Sequence, residues 1–147
     1  MITVRKASAD DVPRILEIFT DSLSPVWTEA SIQCELNKND SFFLVSANGS
    51  AVLGFAVSRR VGEDGELLQI ATDKNFRKTG VGDMLMCAIL KHACEERYKA
   101  IHLEVRESNK AAIGLYEKHG FVSVRVRLDY YTAPVEDAIV MVRRLSE

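Results

Sequence analysis

The hydrophobic pattern of this chain changes period after Thr72, and this change constrains the fold more than any other feature of the sequence. Upstream, Ser41–Ala47, Ala51–Ser58 and Glu66–Thr72 are strand-like segments separated by short turns. Downstream, the apolar residues between Gly80 and about Tyr98 recur at the spacing of a long helix. An antiparallel meander therefore runs directly into a long helix.

The remaining segments give the element order β-α-α-β-β-β-α-β-α-β-β. Ile2–Lys6 is predicted as the first strand, followed by a helix capped near Ser8 and a shorter one from Thr28. A strand-helix-strand unit after the long helix implies a mixed sheet with helices on its faces. Its segments are Ala100–Arg106, a helix from Ser108 or Asn109 to Lys118, and closing strands at Phe121–Leu128 and Ala138–Arg144.

Composition sets the class of protein that these elements can form. The 147 residues are about one domain's worth of chain, and 47% hydrophobic with 27% charged residues is typical of a globular protein. The charge sum of 19 minus 21, or −2, argues against a dedicated nucleic-acid binder. The apolar runs are too short for a membrane span. We expect a single α/β (α+β) domain over 1–147, with no membrane partner and no direct nucleic-acid contact.

Two smaller signals carry further expectations. Asn48-Gly49 between two strand-like segments predicts a type I′ hairpin turn. The cysteines, Cys34, Cys87 and Cys94, are odd in number and show neither a CxxC motif nor zinc spacing. Cys87 and Cys94 lie seven residues apart on the predicted long helix, where we expect buried thiols. With no signal-peptide pattern at the start, these features favour a cytoplasmic location and no metal site.

The segment from Asp73 to Gly82 predicts a binding site for a diphosphate. It joins a strand to the start of the long helix, and the glycines at 80 and 82 let the backbone approach a ligand closely. The first amides of that helix point at such a ligand, and Arg77 and Lys78 add positive charge. The segment is not a Walker loop, and Leu85 occupies the third glycine position of the dinucleotide fingerprint. A glycine pair at a helix start can also be purely structural.

The pattern Arg77-x-x-Gly80-x-Gly82 after a strand resembles the Q/R-x-x-G-x-G/A motif of the GNAT superfamily of N-acetyltransferases. The resemblance extends over nearly the whole chain and is greatest to the RimI-type ribosomal-protein-alanine N-acetyltransferases. Near Pro25-Val-Trp27 the chain has one residue more than that family's Pro-Trp segment. The other matching segments are Leu103–Arg106, Ser108-Asn109, Ala111–Ile113, Leu115–Glu117, Gly120-Phe121, Arg127–Tyr131 and Glu136–Met141.

The resemblance implies the GNAT fold, with a mixed, mostly antiparallel central sheet and helices on both faces, and acetyl-CoA as co-substrate. It implies that backbone amides of the loop hold the pyrophosphate, that the preceding strand pairs with the pantetheine arm and supplies an oxyanion donor, and that Asn109 contacts the cofactor. The cofactor-binding residues predicted in this way are Ile70, Ala71, Thr72, Arg77, Lys78, Thr79, Gly80, Val81, Gly82, Asn109 and Tyr116.

Glu104 is the predicted general base. It shares a strand face with His102, while the apolar residues between and beside them face the other way. A carboxylate in an otherwise apolar strand is costly unless it is paired or functional, and the sequence by itself leaves a salt-bridged structural glutamate open. The resemblance favours the base. His102 competes for this role because its ordinary pKa suits it, and a solvent-facing strand histidine is the alternative.

Tyr116 is the predicted general acid. A phenol can hydrogen-bond the sulfur of the cofactor and supply its proton. By spacing alone a tyrosine on a helix is more often a packing residue, but the superfamily's proposed donor is the tyrosine of the segment that Leu115–Phe121 resembles.

The acceptor implied by the resemblance is the N-terminal alanine of a small-subunit ribosomal protein, attacked directly without an acyl-enzyme. We expect it between the N-terminal helical segment and the closing strands, lined by Trp27, Tyr130 and Tyr131. Carboxylates could steer a basic acceptor, or could simply be solvated. A small-molecule amine, another protein N-terminus and a non-catalytic acyl-CoA-binding module remain alternatives, and we expect a monomer or weak homodimer. The carboxylates are Glu29, Asp129, Glu136 and Asp137.

Overall fold

Seven strands form one sheet in the order β1-β2-β3-β4-β5-β7-β6 in the computed structural model, which describes residues 1–20 and 27–145. Four helices accompany them in these ranges, and the predicted element order is confirmed. The strands are β1 Ile2–Lys6, β2 Ser41–Asn48, β3 Ala51–Val61, β4 Asp64–Thr72, β5 Ala100–Arg106, β6 Val122–Thr132 and β7 Val135–Arg144. The helices are α1 Val12–Thr20, α2 Glu29–Leu36, α3 Val81–Glu95 and α4 Lys110–Lys118.

All neighbouring strands are antiparallel except β4 and β5. That parallel pair has only two register positions, Gly65 with Ile101 and Glu66 with His102. Beyond Glu66, β4 continues to Thr72 without pairing to β5, so the sheet splits between the two strands. The predicted fold class, a mixed and mostly antiparallel sheet, is confirmed.

Side-chain alternation along the strands builds one hydrophobic core on each face of the sheet. On β3, Phe55 and Val57 face the core that Ile15, Phe19 and Ile32 of α1 and α2 complete. Ala56 between them faces the other core, which lies under α3 and includes Leu85 and Ile89. Helices therefore cover both faces, as predicted.

A close backbone contact locks β3, β4 and the start of α3 together. Gly54 on β3 pairs with Thr72, and a Cβ atom at Gly54 would lie 2.8 Å from the Ala71 carbonyl oxygen and 3.1 Å from Val81 Cγ1. Only glycine fits here without displacing the backbone of β4. The same backbone borders the cleft described below.

Expectations about one turn and about the closing strands are wrong. The β2–β3 turn consists of Gly49 and Ser50, because Asn48 pairs with Ala51, and of these two only Gly49 has positive φ, 61°. This fits a type II′ turn and not the predicted type I′. The closing strands are longer than predicted, so that β6 extends to Thr132 and β7 begins at Val135.

The cysteines also differ from expectation. Cys34, Cys87 and Cys94 are free and exposed. The long helix turns Leu85, Ile89 and Ala93 to the core, one turn apart, and this places 87 and 94 on the opposite side. Met84, one of the apolar residues of this helix, is 36% exposed for the same reason.

In the part of the chain that the structure describes, we find no helix with the length and apolar character that crossing a membrane requires.

Gly54→Ala should destabilise the fold by about 1–3 kcal/mol, because the added methyl group collides with backbone that cannot move independently. Gly114→Ala is the matched control: it lies in α4, and an added Cβ meets nothing within 4 Å. That variant should gain about 0.5–1 kcal/mol from the better helix propensity of alanine. Urea unfolding measures both, and equal shifts of the same sign would contradict the close contact at Gly54.

Candidate active site

The split between β4 and β5 creates a cleft with open backbone on the β4 side. Along β4 the pairing with β3 slips at Leu68, since Val57 pairs with Gln69 and Ser58 with Leu67. Such a bulge changes the direction of the backbone groups beside it. Two cavities open on this cleft, and Ile70 and Asn109 line both of them.

The larger cavity, about 470 Å³, lies between the end of β4 and the first turns of α3 and α4. It holds most of the residues that the sequence predicted for the cofactor. Its lining consists of Ile70, Ala71, Thr72, Phe76, Arg77, Lys78, Gly80, Gly82, Asp83, Asn109, Ala111, Ala112, Gly114, Leu115 and Lys118. Of the other predicted residues, Val81 is buried in the core, Thr79 donates its hydroxyl to the Phe76 carbonyl, and Tyr116 lines the smaller cavity.

The loop before α3 is shaped to bind an anion. Lys78 and Gly80 have φ angles of 64° and 91°, which turn the chain sharply into the helix. The first amides of α3 have no partner within the helix, and the positive end of its dipole lies at the same place. A Cβ at Gly82 would contact the Leu115 side chain at 3.3 Å and narrow the cavity. The loop therefore offers amides, positive charge and room for a diphosphate.

One carboxylate lies among the positive groups of the larger cavity. Asp83, in the first turn of α3, lines the same cavity. His119 Nε2 lies 2.8 Å from its Oδ1, and Lys118 Nζ donates to its Oδ2 at 3.1 Å. The hydrogen bond with His119, followed by that from Lys118, lowers the pKa of Asp83, so its negative charge is matched locally by two residues of the α4 end.

The smaller cavity, about 250 Å³, lies on the other side of the split and brings the remaining predicted site residues together. Glu104 from β5, Tyr116 from α4 and both predicted acceptor tyrosines line it. Trp27, at the start of the second described range, closes one side. The full lining is Trp27, Glu66, Leu67, Leu68, Gln69, Ile70, Glu104, Val105, Asn109, Tyr116, Tyr130 and Tyr131.

Glu104 is three-quarters buried and has two neighbours from β6. The Tyr130 hydroxyl donates to Oε1 at 3.1 Å, and Arg127 Nε lies 2.6 Å from Oε2. The sequence left a salt-bridged glutamate open as an alternative to a base, and the structure shows a salt bridge at the edge of the cavity.

Tyr116 is 7% exposed and packs against Phe121, with ring centroids 5.9 Å apart. Burial, with a small contribution from neighbouring Tyr131, raises the pKa of Tyr116 well above its ordinary value. The phenol therefore stays protonated throughout the neutral range.

A double bulge in β6 lets two consecutive tyrosines line one cavity. Neighbouring residues of a regular strand face opposite sides, but four residue steps of β6, from Arg127 to Tyr131, span only two of β7, from Ala138 to Glu136. Asp129, in the middle, has a φ of 51°. The extra residues turn Tyr130 towards the cavity beside Tyr131, and the two rings meet edge to face at 5.1 Å.

Arg106 fixes the other side of this hairpin. It is 8% exposed, donates to the Pro134 carbonyl at 3.0 Å, and lies 4.3 Å from the centroid of the Tyr131 ring. Its carboxylate partner is Glu136 at 3.3 Å, which also accepts from the Ser108 amide at 2.5 Å. Glu136 was one of the carboxylates predicted near the acceptor, and in the structure it is bound by Arg106 and by the Ser108 amide.

The other predicted residues lie at the margins. His102 Nε2 contacts Asp64 Oδ2 at 2.8 Å, and its side chain is 45% exposed. Asp137 accepts from the Asp129 amide at 2.8 Å. Glu29 is exposed in the first turn of α2. Pro25, part of the segment with one extra residue, lies outside the described residues.

Sequence reasoning did not select Glu66, Arg106 or Arg127 as site residues. Glu66 lines the smaller cavity as a second carboxylate, and its place follows from the parallel register with His102, which only the paired strands reveal. Arg127 belonged to a matched motif, but its partner Glu104 is 23 residues away in sequence.

Comparisons with known proteins agree with this geometry. The sequence model of the Acetyltransferase (GNAT) family matches residues 12–121. The chain belongs to this family. The GNAT chain is similar to a putative [ribosomal protein bS18]-alanine N-acetyltransferase of Bacillus subtilis. The two sequences are 30% identical over 145 residues, and the alignment covers 98% of this chain and 96% of the relative. The predicted family is therefore confirmed, and the protein is an enzyme, an N-acetyltransferase.

Solved structures give the same result. The ribosomal-protein-S18-alanine N-acetyltransferase of Escherichia coli superimposes with a TM-score of 0.90 at 28% identity, covering 100% of this chain and 96% of that one. Ard1 of Thermoplasma volcanium superimposes with a TM-score of 0.91 at 32% identity, covering 99% of each chain. The predicted GNAT fold is confirmed.

The four tyrosines of the chain provide a test of the site's burial. Burial is the largest cause of a raised pKa at Tyr98, Tyr116, Tyr130 and Tyr131, and it raises the pKa of Tyr131 to about 12. We expect little phenolate absorbance in the folded enzyme at about pH 10, where tyrosines of the urea-unfolded chain are half ionised. Since the fold favours the neutral phenols, their stabilising contribution is present below that pH and is lost as pH rises through the folded values.

Spectrophotometric titration of the folded and the unfolded protein makes this measurement. Tyr116→Phe should remove a phenol that ionises only at a pH well above its ordinary pKa. A full tyrosine equivalent ionising near its ordinary value in the folded enzyme would contradict the burial described here.

Proposed function

We propose that this GNAT enzyme transfers the acetyl group of acetyl-CoA to the N-terminal alanine of a small-subunit ribosomal protein, by direct attack of the α-amine. The observation that carries the proposal is the meeting of the two cavities at Ile70 and Asn109, with Glu104 and Tyr116 lining the smaller one. The names of the bacterial relatives support the acceptor. With such an acceptor the enzyme acts in the cytoplasm. The single sheet supports one N-acetyltransferase domain over 1–147.

The larger cavity fits acetyl-CoA. The amides from Arg77 to Gly82 would hold the pyrophosphate, and the cavity has room there because position 82 lacks a side chain. Ile70, Ala71 and Thr72 lie beyond the last pairing of β4 with β5, so their backbone can pair with the pantetheine arm. Asn109 caps α4 by accepting from the Ala112 amide at 3.2 Å and borders both cavities, beside the point of transfer.

The smaller cavity fits the end of a peptide chain. Its aromatic walls, Trp27, Tyr130 and Tyr131, can enclose one small side chain, and its carboxylates, Glu66 and Glu104, favour a cationic amine. A cavity of about 250 Å³ has room for one terminal residue rather than a folded surface. Alanine, the residue in the relatives' names, fits within this volume.

The chemistry divides between residues on either side of the split. Acetyl-CoA supplies the acetyl group as a thioester. Glu104 takes the proton of the attacking amine, and an amide of the bulged part of β4 donates to the carbonyl oxygen as negative charge develops there. Tyr116, kept neutral by burial, gives its proton to the departing sulfur. His102 is a weaker base candidate, because it contacts Asp64 and does not line either cavity.

An acceptor panel tests the proposed function. Peptides beginning with Ala, Ser and Met and matched in their following residues, together with spermidine as a small amine, are assayed for acetylation by release of free CoA thiol. We expect the alanine peptide to have the highest kcat/KM, at least about tenfold above the methionine peptide, because alanine is the residue in the relatives' names. Preference for spermidine, or acetyl-CoA binding with no turnover on any amine, would contradict the proposal.

The proposed catalytic roles have their own test. Glu104→Gln and Tyr116→Phe should each lower kcat by about 100-fold or more, the usual contribution of a positioned acid or base. The KM for acetyl-CoA should change by less than about threefold, because backbone amides hold the cofactor. Glu107→Gln, an exposed carboxylate just past β5, is the matched control and should behave as the wild type. A large loss of acetyl-CoA affinity in Glu104→Gln would make Glu104 a structural residue.

A further inference from the structure

The ion pair between Arg127 and Glu104 has an unusual geometry. Arg127 Nε lies only 2.6 Å from Glu104 Oε2, yet its N–H is not directed at that oxygen. Within the described ranges, Oε2 is one of three buried side-chain oxygens that have no hydrogen bond. Arg127 therefore supplies charge at Oε2 without using the hydrogen-bonding capacity of that oxygen. The other oxygen, Oε1, already accepts from Tyr130.

The fold holds the arginine in this place from two directions. Arg127 is the last residue of β6 in regular register before the double bulge, where it pairs with Ala138. On the far side of the bulge, the Tyr130 ring centroid lies 5.7 Å from the Arg127 guanidinium carbon. The Arg127 guanidinium thus has the Glu104 carboxylate and the Tyr130 ring as neighbours, and the Tyr130 hydroxyl binds the other oxygen of that carboxylate.

We propose that Arg127 is a positioning residue for the base: it fixes the Glu104 carboxylate at the smaller cavity by placing positive charge beside Oε2. This inference rests on the proposed amine acetylation. Arg127 does not line either cavity, but both of its partners, Glu104 and Tyr130, line the smaller one. Together with Tyr130, which donates to Oε1, it holds the carboxylate at both oxygens.

A purely structural ion pair would behave differently. The side chain of Arg127 is 47% exposed, and half-exposed pairs contribute little to stability because water screens them. Losing the arginine should therefore leave the melting temperature nearly unchanged while the carboxylate loses its fixed position. Misplacement of a reacting group by about 1 Å can cost as much as 100-fold in rate.

The experiment compares Arg127→Met, Arg127→Lys and the control Arg125→Met. Arg125 is exposed and lies two residues away on the same strand. For each variant we measure kcat, the KM for acetyl-CoA, the KM for the acceptor and the melting temperature. The acceptor is whichever member of the panel gives the wild type its highest kcat/KM, so that failure of the alanine acceptor leaves this test intact.

We expect Arg127→Met to lower kcat about tenfold or more, with each KM within about threefold of the wild type. Arg127→Lys should recover most of the loss, because lysine restores a positive charge beside the Glu104 carboxylate. Arg125→Met should have no effect on any of the four measurements.

Three results would overturn the proposal. An unchanged kcat in Arg127→Met would show that Glu104 needs no positioning by this residue. A loss confined to the KM of the acceptor would make Arg127 a binding residue. A fall in kcat that Arg127→Lys does not relieve, or that accompanies a lowered melting temperature, would make the pair structural.

Discussion

The pairing of β4 with β5 stops after two residue pairs, and the rest of the site depends on that interruption. A full parallel ladder would use the backbone groups of residues 67–72 and close the cleft. Because it stops, β4 presents unpaired backbone between two helices, α3 and α4, whose first turns face the same opening. In the proposed reaction, one strand then serves the cofactor along its open edge and the acceptor at its bulge, and both cavities meet at Ile70.

The charges follow the same division. The larger cavity collects positive groups, and its one carboxylate, Asp83, is matched by Lys118 and His119. The smaller cavity holds Glu66 and Glu104 among aromatic rings. The net charge of −2 therefore includes a positively charged region at the larger cavity and a negatively charged one at the smaller cavity. The sum alone reveals neither region. A near-neutral chain can bind a polyanion on one side of its sheet split and a cationic amine on the other.

Features that depend on local pattern were predictable from the sequence. The glycine loop, the alternation that isolates Glu104 and the cap at Asn109 each involve residues within a few positions of one another. Features that depend on pairing between distant strands were not. The bulge that aligns Tyr130 with Tyr131 arises from a mismatch with β7, and the ends of β6 and β7 follow from that pairing. The exposure of Cys87 depends on which side of α3 the sheet covers, and periodicity alone does not decide this.

In the proposed reaction, these two kinds of feature correspond to the two substrates. The groups that would hold acetyl-CoA are mostly backbone amides within one short loop, so a short motif specifies them. The acceptor cavity is built from side chains of five separate segments, beginning with Trp27 and ending with the β6 tyrosines. Its shape depends on long-range contacts such as that of Arg106 with Tyr131 and the β6–β7 turn. Substitutions far from the motif can therefore change the shape of the smaller cavity without touching the loop before α3. In the proposed reaction, acceptor choice thus depends on the β6–β7 hairpin and not on that loop.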